Sequence, residues 1–90
     1  MNLIIIADSL EGDKLCCLVE VANPTSDPRM ASNYVFEETN EMADTSYVPR
    51  AKLKHAHRFS SNAVYDVFRV IHNRTKHNAQ VVRNLRIVQI

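Results

Sequence analysis

Glycine is almost missing from this chain: Gly12 is the only one in 90 residues. Phosphate-cradling loops such as G-x-G-x-x-G and the P-loop need several glycines, which excludes both nucleotide-binding modes. Long hydrophobic runs are missing too. The opening Met1-Asn2-Leu3-Ile4-Ile5-Ile6-Ala7-Asp8 is too short for a transmembrane helix. It also has neither the basic lead-in nor the hydrophobic length of a signal peptide. A cytoplasmic location with no membrane partner is therefore expected, and the Asn73-Arg74-Thr75 glycosylation sequon is then idle. Cysteine occurs only as the adjacent pair Cys16 and Cys17, whose side chains point to opposite faces on a strand. An intramolecular bridge between them is not expected, and a reducing compartment agrees with that.

Anions are scarce after Pro49. Residues 50–90 carry nine cations against the single anion Asp66, a net charge of +8, and all four histidines besides. Residues 1–49 reverse the balance, with Lys14 and Arg29 against nine anions, a net of −7. The whole-chain value of +1 hides the split. Asymmetry of this size points to a charged partner, because summed like charges set the surface potential and steer association. The overall composition is globular, and a chain of this length forms one compact domain, 1–90.

Leu3 to Ala7 is a continuously apolar, β-branched run, as expected of a strand buried on both faces. Leu15 to Val21 is again strand-like, with Leu15, Cys17, Val19 and Val21 on one face, and the turn between holds the glycine. Pro24 and Pro28 mark a loop, and Tyr34-Val35-Phe36 is a short strand. A helix over 37–46 would set Glu37, Glu38, Glu41 and Asp44 at repelling i,i+3 and i,i+4 distances, so a mobile acidic loop is expected.

Beyond Pro49 an alternating pattern predicts a strand with Ala51, Leu53, His55, His57 and Phe59 on one face. Ser60, Ser61 and Asn62 offer N-caps for a helix whose stripe is Ala63, Val64, Val67, Phe68 and Ile71, with Val64, Phe68 and Ile71 buried on the sheet. Asn78 is its expected stop. In the last strand, 80–90, Val81, Leu85 and Ile87 share one phase while Val88 and Ile90 share the other, which predicts a bulge or burial on both sides. The fold class is α+β: an antiparallel sheet of four to five strands packed by one main amphipathic helix at about residues 61–77.

Two charged surfaces are candidate sites. The acidic patch Glu37, Glu38, Glu41 and Asp44 can imitate a phosphate backbone, and Tyr34, Phe36, Met42 and Tyr47 beside it are interface-type anchors. The basic face comprises Arg50, Lys52, Lys54 and Arg58 on the expected strand, Arg69, Arg74 and Lys76 on the helix, and Arg83 and Arg86 on the last strand. Lys and Arg contacts to phosphates give nucleic acids sequence-independent affinity. The competing reading is that these cations pair with first-half anions across the sheet, in surface salt bridges worth about 0–1 kcal/mol each. Aromatic interleaving for stacking is thin, with Tyr47, Phe59 and Tyr65 the nearby rings and Phe59 expected in the core.

His55-x-His57 puts two imidazoles on one face, but no carboxylate or cysteine is spaced to complete a zinc set, so no metal or other cofactor is expected. No nucleophile elbow or equivalent turn is present, and the chain is read as a non-enzyme. Asp8 at the end of a hydrophobic first strand resembles the metal-binding aspartate of small CRISPR-adaptation nucleases of ferredoxin-like fold. A helix should follow the strand there, whereas Leu15 to Val21 reads as β, so Asp8 is expected to cap the turn instead.

A basic strand ending Ala56-His57-Arg58-Phe59-Ser60-Ser61, then one amphipathic helix and a terminal strand, spans 56–90. This arrangement resembles small phage-encoded accessory proteins, among them host-takeover and anti-CRISPR inhibitors. The resemblance carries no residue roles. It implies a stoichiometric binder of a host protein. The expected function is thus a non-enzymatic interaction protein that binds a nucleic-acid-handling host protein through charge-segregated surfaces. A small basic-faced RNA- or DNA-binding module is the alternative, and a homodimer is compatible with either.

Overall fold

The computed structural model describes residues 2–43, 53–77 and 82–90. Strands β1 (Leu3–Ser9), β2 (Lys14–Glu20), β3 (Tyr34–Met42) and β4 (Val82–Gln89) form one sheet, and α1 (Ser61–His77) lies between β3 and β4 in the chain. The strand order is β3-β2-β1-β4 with every neighbouring pair antiparallel, so the fold is α+β with four strands and one main helix.

Both faces of β1 are buried, as its unbroken apolar run predicts. Leu3 and Ile5 pack under α1 with Leu18, Tyr34, Val64, Val67 and Ile71. Ile4 and Ile6 face the other way, toward Leu15, Cys17, Leu53 and Ala56. The two cysteines part accordingly. Cys17 joins this second cluster, while Cys16 packs with Ala7 and Val82, and both are free thiols.

The helix stripe is the expected one with a single change. Val64, Val67 and Ile71 are buried, but Phe68 stays partly exposed at the edge of the cluster. Its ring stacks on His72 one turn away, with centroids 5.8 Å apart. Ser60 caps the helix through its Oγ, which accepts from the Ala63 amide at 3.5 Å. The expected stop at Asn78 lies outside the described residues.

Two expected elements fold differently. The stretch from Glu37 is not a loop, because β3 continues through it to Met42. Strand pairing sets Glu37 opposite Cys17 and Glu38 opposite Cys16, so adjacent carboxylates point to opposite faces and the helical repulsion never arises. Nor do residues 53–58 form a strand. Leu53 and Ala56 are three apart, and a tight turn closed by Ala56 N–H donating to Leu53 O (3.0 Å) drives both onto Ile4 and Ile6. Burial with period three overrode the apparent alternation.

The chain then passes through the sheet. His57 N–H donates to Leu18 O of β2 (2.9 Å), and Phe59 N–H donates to Leu3 O of β1 (2.8 Å). The β1–β2 register is paired only from Ile6 to Asp8, and segment 57–59 fills the opening beyond it. This crossing carries the chain from the Leu53 face to the helix face. There Phe59 meets Tyr34 at 4.9 Å and His57 at 4.6 Å between centroids.

Asp8 does not cap the turn. It lies within β1, and its carboxylate accepts from Arg86 Nη1 (3.1 Å) and Asn84 Nδ2 (3.0 Å). Ser9 holds the turn instead: its Oγ donates to Asp13 Oδ1 (3.0 Å), and its carbonyl accepts from Gly12 N–H (2.8 Å). Gly12 has φ +80°, a conformation that favours glycine. The bulge expected in the last strand is present. Asn84 has φ 57°, and the pairing slips between Ile6 and Asp8. Val82 and Leu85, three apart, consequently pack on one face, while beyond the bulge Ile87 faces the helix side and Val88 and Ile90 the other by ordinary alternation.

Candidate functional site

The acidic candidates are carried by an edge strand. Among the described residues no strand pairs with the outer side of β3, which has β2 as its one neighbour. Glu37 and Glu38 are exposed, and among the described residues neither is paired with a cation. Glu41 is half-buried, and Asp44 lies outside the described residues. Glu37 and Glu38 therefore do not share a face of the sheet. Glu37 faces the Leu53 side and Glu38 the helix side of the same edge.

A second bulge bends this strand. Lys14 pairs with Met42 but Cys16 with Glu38, so β3 holds two more residues than β2 over that stretch. Thr39 fixes the distortion: its Oγ1 donates to Leu15 O (2.7 Å) and accepts from Glu41 N–H (3.1 Å). A cleft of ≈ 240 Å³ opens beside it, lined by Cys17, Glu37 to Glu41 and His55. Sequence reasoning missed the Thr39 bulge, and no signal in the residues alone announces it.

Cleft chemistry argues against a nucleophilic thiol. Burial first, then the charge of Glu37, pushes Cys17 up to about 11, and burial with Glu38 raises Cys16 as well. Thiolates are the reactive form, and here they are suppressed. Among the described residues no group of three His, Cys, Asp or Glu is placed to hold a metal ion. The two histidines separate: His55 lines the cleft, whereas His57 enters the crossing, with Nδ1 3.9 Å from Glu20 Oε2 and its ring 5.0 Å from Tyr34.

The expected apolar anchors are partly misplaced. Tyr34 is buried, its hydroxyl donating to Pro28 O at 2.6 Å, and Phe36 packs toward the helix. Met42 is exposed, and so is Val35, which alternation with Tyr34 and Phe36 could have identified. Tyr47 lies outside the described residues.

The basic candidates do not share a face. Lys54 and Arg58 are exposed on the turn covering Ile4 and Ile6, where Arg58 Nη1 donates to Ala56 O at 3.1 Å. Arg69 and Arg74 are exposed on α1, across the sheet, and Lys76 lies in the last turn of that helix. Arg50 and Lys52 lie outside the described residues. Arg83 and Arg86 sit on β4, the opposite edge from β3. Arg86 makes the cross-half ion pair with Asp8 that the competing reading expected, and it leaves a buried Nη2 without an acceptor. Of the charges so divided in the sequence, Glu37, Glu38 and Glu41 lie on one edge strand and Arg83 and Arg86 on the other.

Among the described residues no helix is long and apolar enough to cross a membrane. Comparisons with family models, with curated proteins and with solved structures find no match to this chain.

Proposed function

We propose that this chain is a non-enzymatic protein-binding module that offers the acidic edge strand β3 to the basic groove of a nucleic-acid-handling host protein. One observation carries the reading: among the described residues Glu37 and Glu38 stand exposed and without a cation partner on a sheet edge that no strand pairs, between exposed Val35 and Met42. Exposed carboxylates on such an edge favour an external partner of opposite charge. An inhibitor that occupies such a groove stoichiometrically is the mode implied by the resemblance to phage accessory proteins. Separation of the basic residues over two outer layers favours this reading over direct nucleic-acid binding, which needs its cations along one groove.

Affinity purification from a bacterial lysate, with and without nuclease, identifies the partner class. A protein that survives nuclease is expected; recovery of nucleic acid alone overturns the proposal. Glu37→Gln, Glu38→Gln, Glu41→Gln and Asp44→Asn combined should then slow association with that protein by about tenfold or more at low salt. The difference should shrink as salt screens the steering. An unchanged association rate would show that the carboxylates play no part.

A further inference from the structure

We propose that the basic edge strand β4 of one copy pairs with the acidic edge strand β3 of a second copy, extending the sheet head to tail. This goes beyond the reading above: it uses the same strand but needs no foreign partner. Neighbouring strands alternate in direction across β3-β2-β1-β4, so β3 and β4 run oppositely. Placing a second copy beside the first in the same orientation therefore joins β4 to β3 as an antiparallel pair.

The register supports the join residue by residue. Ile6 pairs with both Cys17 and Arg86, and Cys17 pairs with Glu37, so Glu37 and Arg86 lie in one row on one face. A second copy added in line brings its Glu37 beside Arg86, whose side chain is 20% exposed. The next residues along are Phe36 opposite Ile87, both on the helix side, and then Val35 opposite Val88. Charge meets opposite charge, and apolar meets apolar.

The free backbone groups agree as well. Ile90 N–H donates to Asn2 O, so Ile90, Val88 and Arg86 turn their amides inward to β1, and Ile87 and Gln89 turn theirs outward. Val21 N–H donates to Asn33 O, so Asn33, Val35 and Glu37 turn inward to β2, and Phe36 and Glu38 turn outward. Phe36 and Ile87 therefore present backbone groups that no described residue pairs in the same row, as an antiparallel hydrogen-bonded pair requires. Alternative pairings are opposed by charge. Two β3 edges would set Glu37 and Glu38 against their copies, and two β4 edges would do the same with Arg83 and Arg86. This heterologous join advances each copy along the direction in which the sheet grows, so the product is an open helical series rather than a ring. With roughly 20–25° of twist per strand, each copy is turned by about 80–100° from the last.

Sedimentation velocity of the purified chain alone tests this. The parent should associate with rising concentration at low salt, beyond a dimer, and return to monomer at high salt. Glu37→Lys with Glu38→Lys makes both edges basic, and Arg83→Glu with Arg86→Glu makes both acidic, with Asp8→Arg added so that positions 8 and 86 keep opposite charges. Each variant should stay monomeric, and an equimolar mixture should recover association. Glu38→Pro is the independent check: it removes an outward amide while sparing the β2 ladder, and it should also give a monomer. Folding of each variant is read by circular dichroism. A parent that stays monomeric at low salt, a series that stops at a dimer, or a mixture that fails to recover association would each overturn the proposal. Binding of a host protein at nanomolar chain concentration is measured separately, so either idea can fail alone.

Discussion

Phe59 is the residue on which the two faces of the sheet meet, and removing its ring is the sharpest test of the architecture. Its side chain is 3% exposed and belongs to the helix-side cluster. Burial of an aromatic ring of this kind makes Phe→Ala cost about 3–5 kcal/mol through lost transfer energy and the cavity left behind. The tilted contact with Tyr34 and the edge contact with His57 each add about 0.5–1.5 kcal/mol beyond area alone, which places Phe59→Ala at the upper end. The backbone bonds to Leu3 do not depend on the side chain and should persist while the chain is folded. A domain of this size holds about 4–13 kcal/mol in total, so the variant loses a third or more of its stability. Urea unfolding followed by far-ultraviolet circular dichroism measures the loss. Phe59→Leu keeps most of the volume and should cost about 1–2 kcal/mol, which preserves a measurable transition if the alanine variant does not fold. A loss below about 1 kcal/mol for Phe59→Ala would refute the wedge, since no buried aromatic anchor tolerates that.

Three further outcomes are expected. Asn33 is buried and ties the proline loop through Thr25 N–H to its Oδ1 (2.8 Å) and through Nδ2 to Asp27 O (2.9 Å), so Asn33→Ala should cost about 2 kcal/mol in the same unfolding assay. Gly12→Ala meets both a positive φ and the Arg83 guanidinium that packs over it, and should lower stability by about 1–2 kcal/mol with a reduced thermal midpoint. Because burial and the charge of Glu37 raise the folded-state value of Cys17 to about 11, stability should be flat below about pH 9 and fall from there toward pH 11, as the unfolded thiol ionises first. At pH 8 only about one Cys17 in a thousand is thiolate, so native thiols should resist iodoacetamide until denaturant is added.

Strands and helix were legible where one physical signal dominated. Two-sided burial marked β1 and the split phases of Leu85, Ile87, Val88 and Ile90 in β4, and a three-to-four-residue apolar stripe marked α1. Misreadings came where two signals competed. Carboxylate repulsion weighs against a helix over 37–46, but between adjacent residues of a strand it is relieved, and the pairing of β3 with β2 reaches Met42. Between Leu53 and Phe59 the alternation of apolar and basic residues was real, yet it is the i,i+3 pair Leu53 and Ala56 that reaches the core. The acidic candidates were legible as residues but not as a surface. Their placement on an open edge, opposite Arg83 and Arg86 on the other, depends on strand order, which composition does not encode.

Passage of residues 57–59 between β1 and β2 also constrains how the molecule is made. A hairpin zipped from Gly12 to its ends would close the opening that Phe59 and His57 need, so a fully formed β1–β2 hairpin is off the route to the native state. Segment 57–59 is separated from Leu3 and Leu18 by about forty to fifty-five residues, and such distant closures are slow to reward their entropy cost. The hairpin's open end, the crossing and the start of α1 must therefore settle together. Hydrogen exchange at the Phe59 and His57 amides should then report opening of the whole molecule rather than of a local flap.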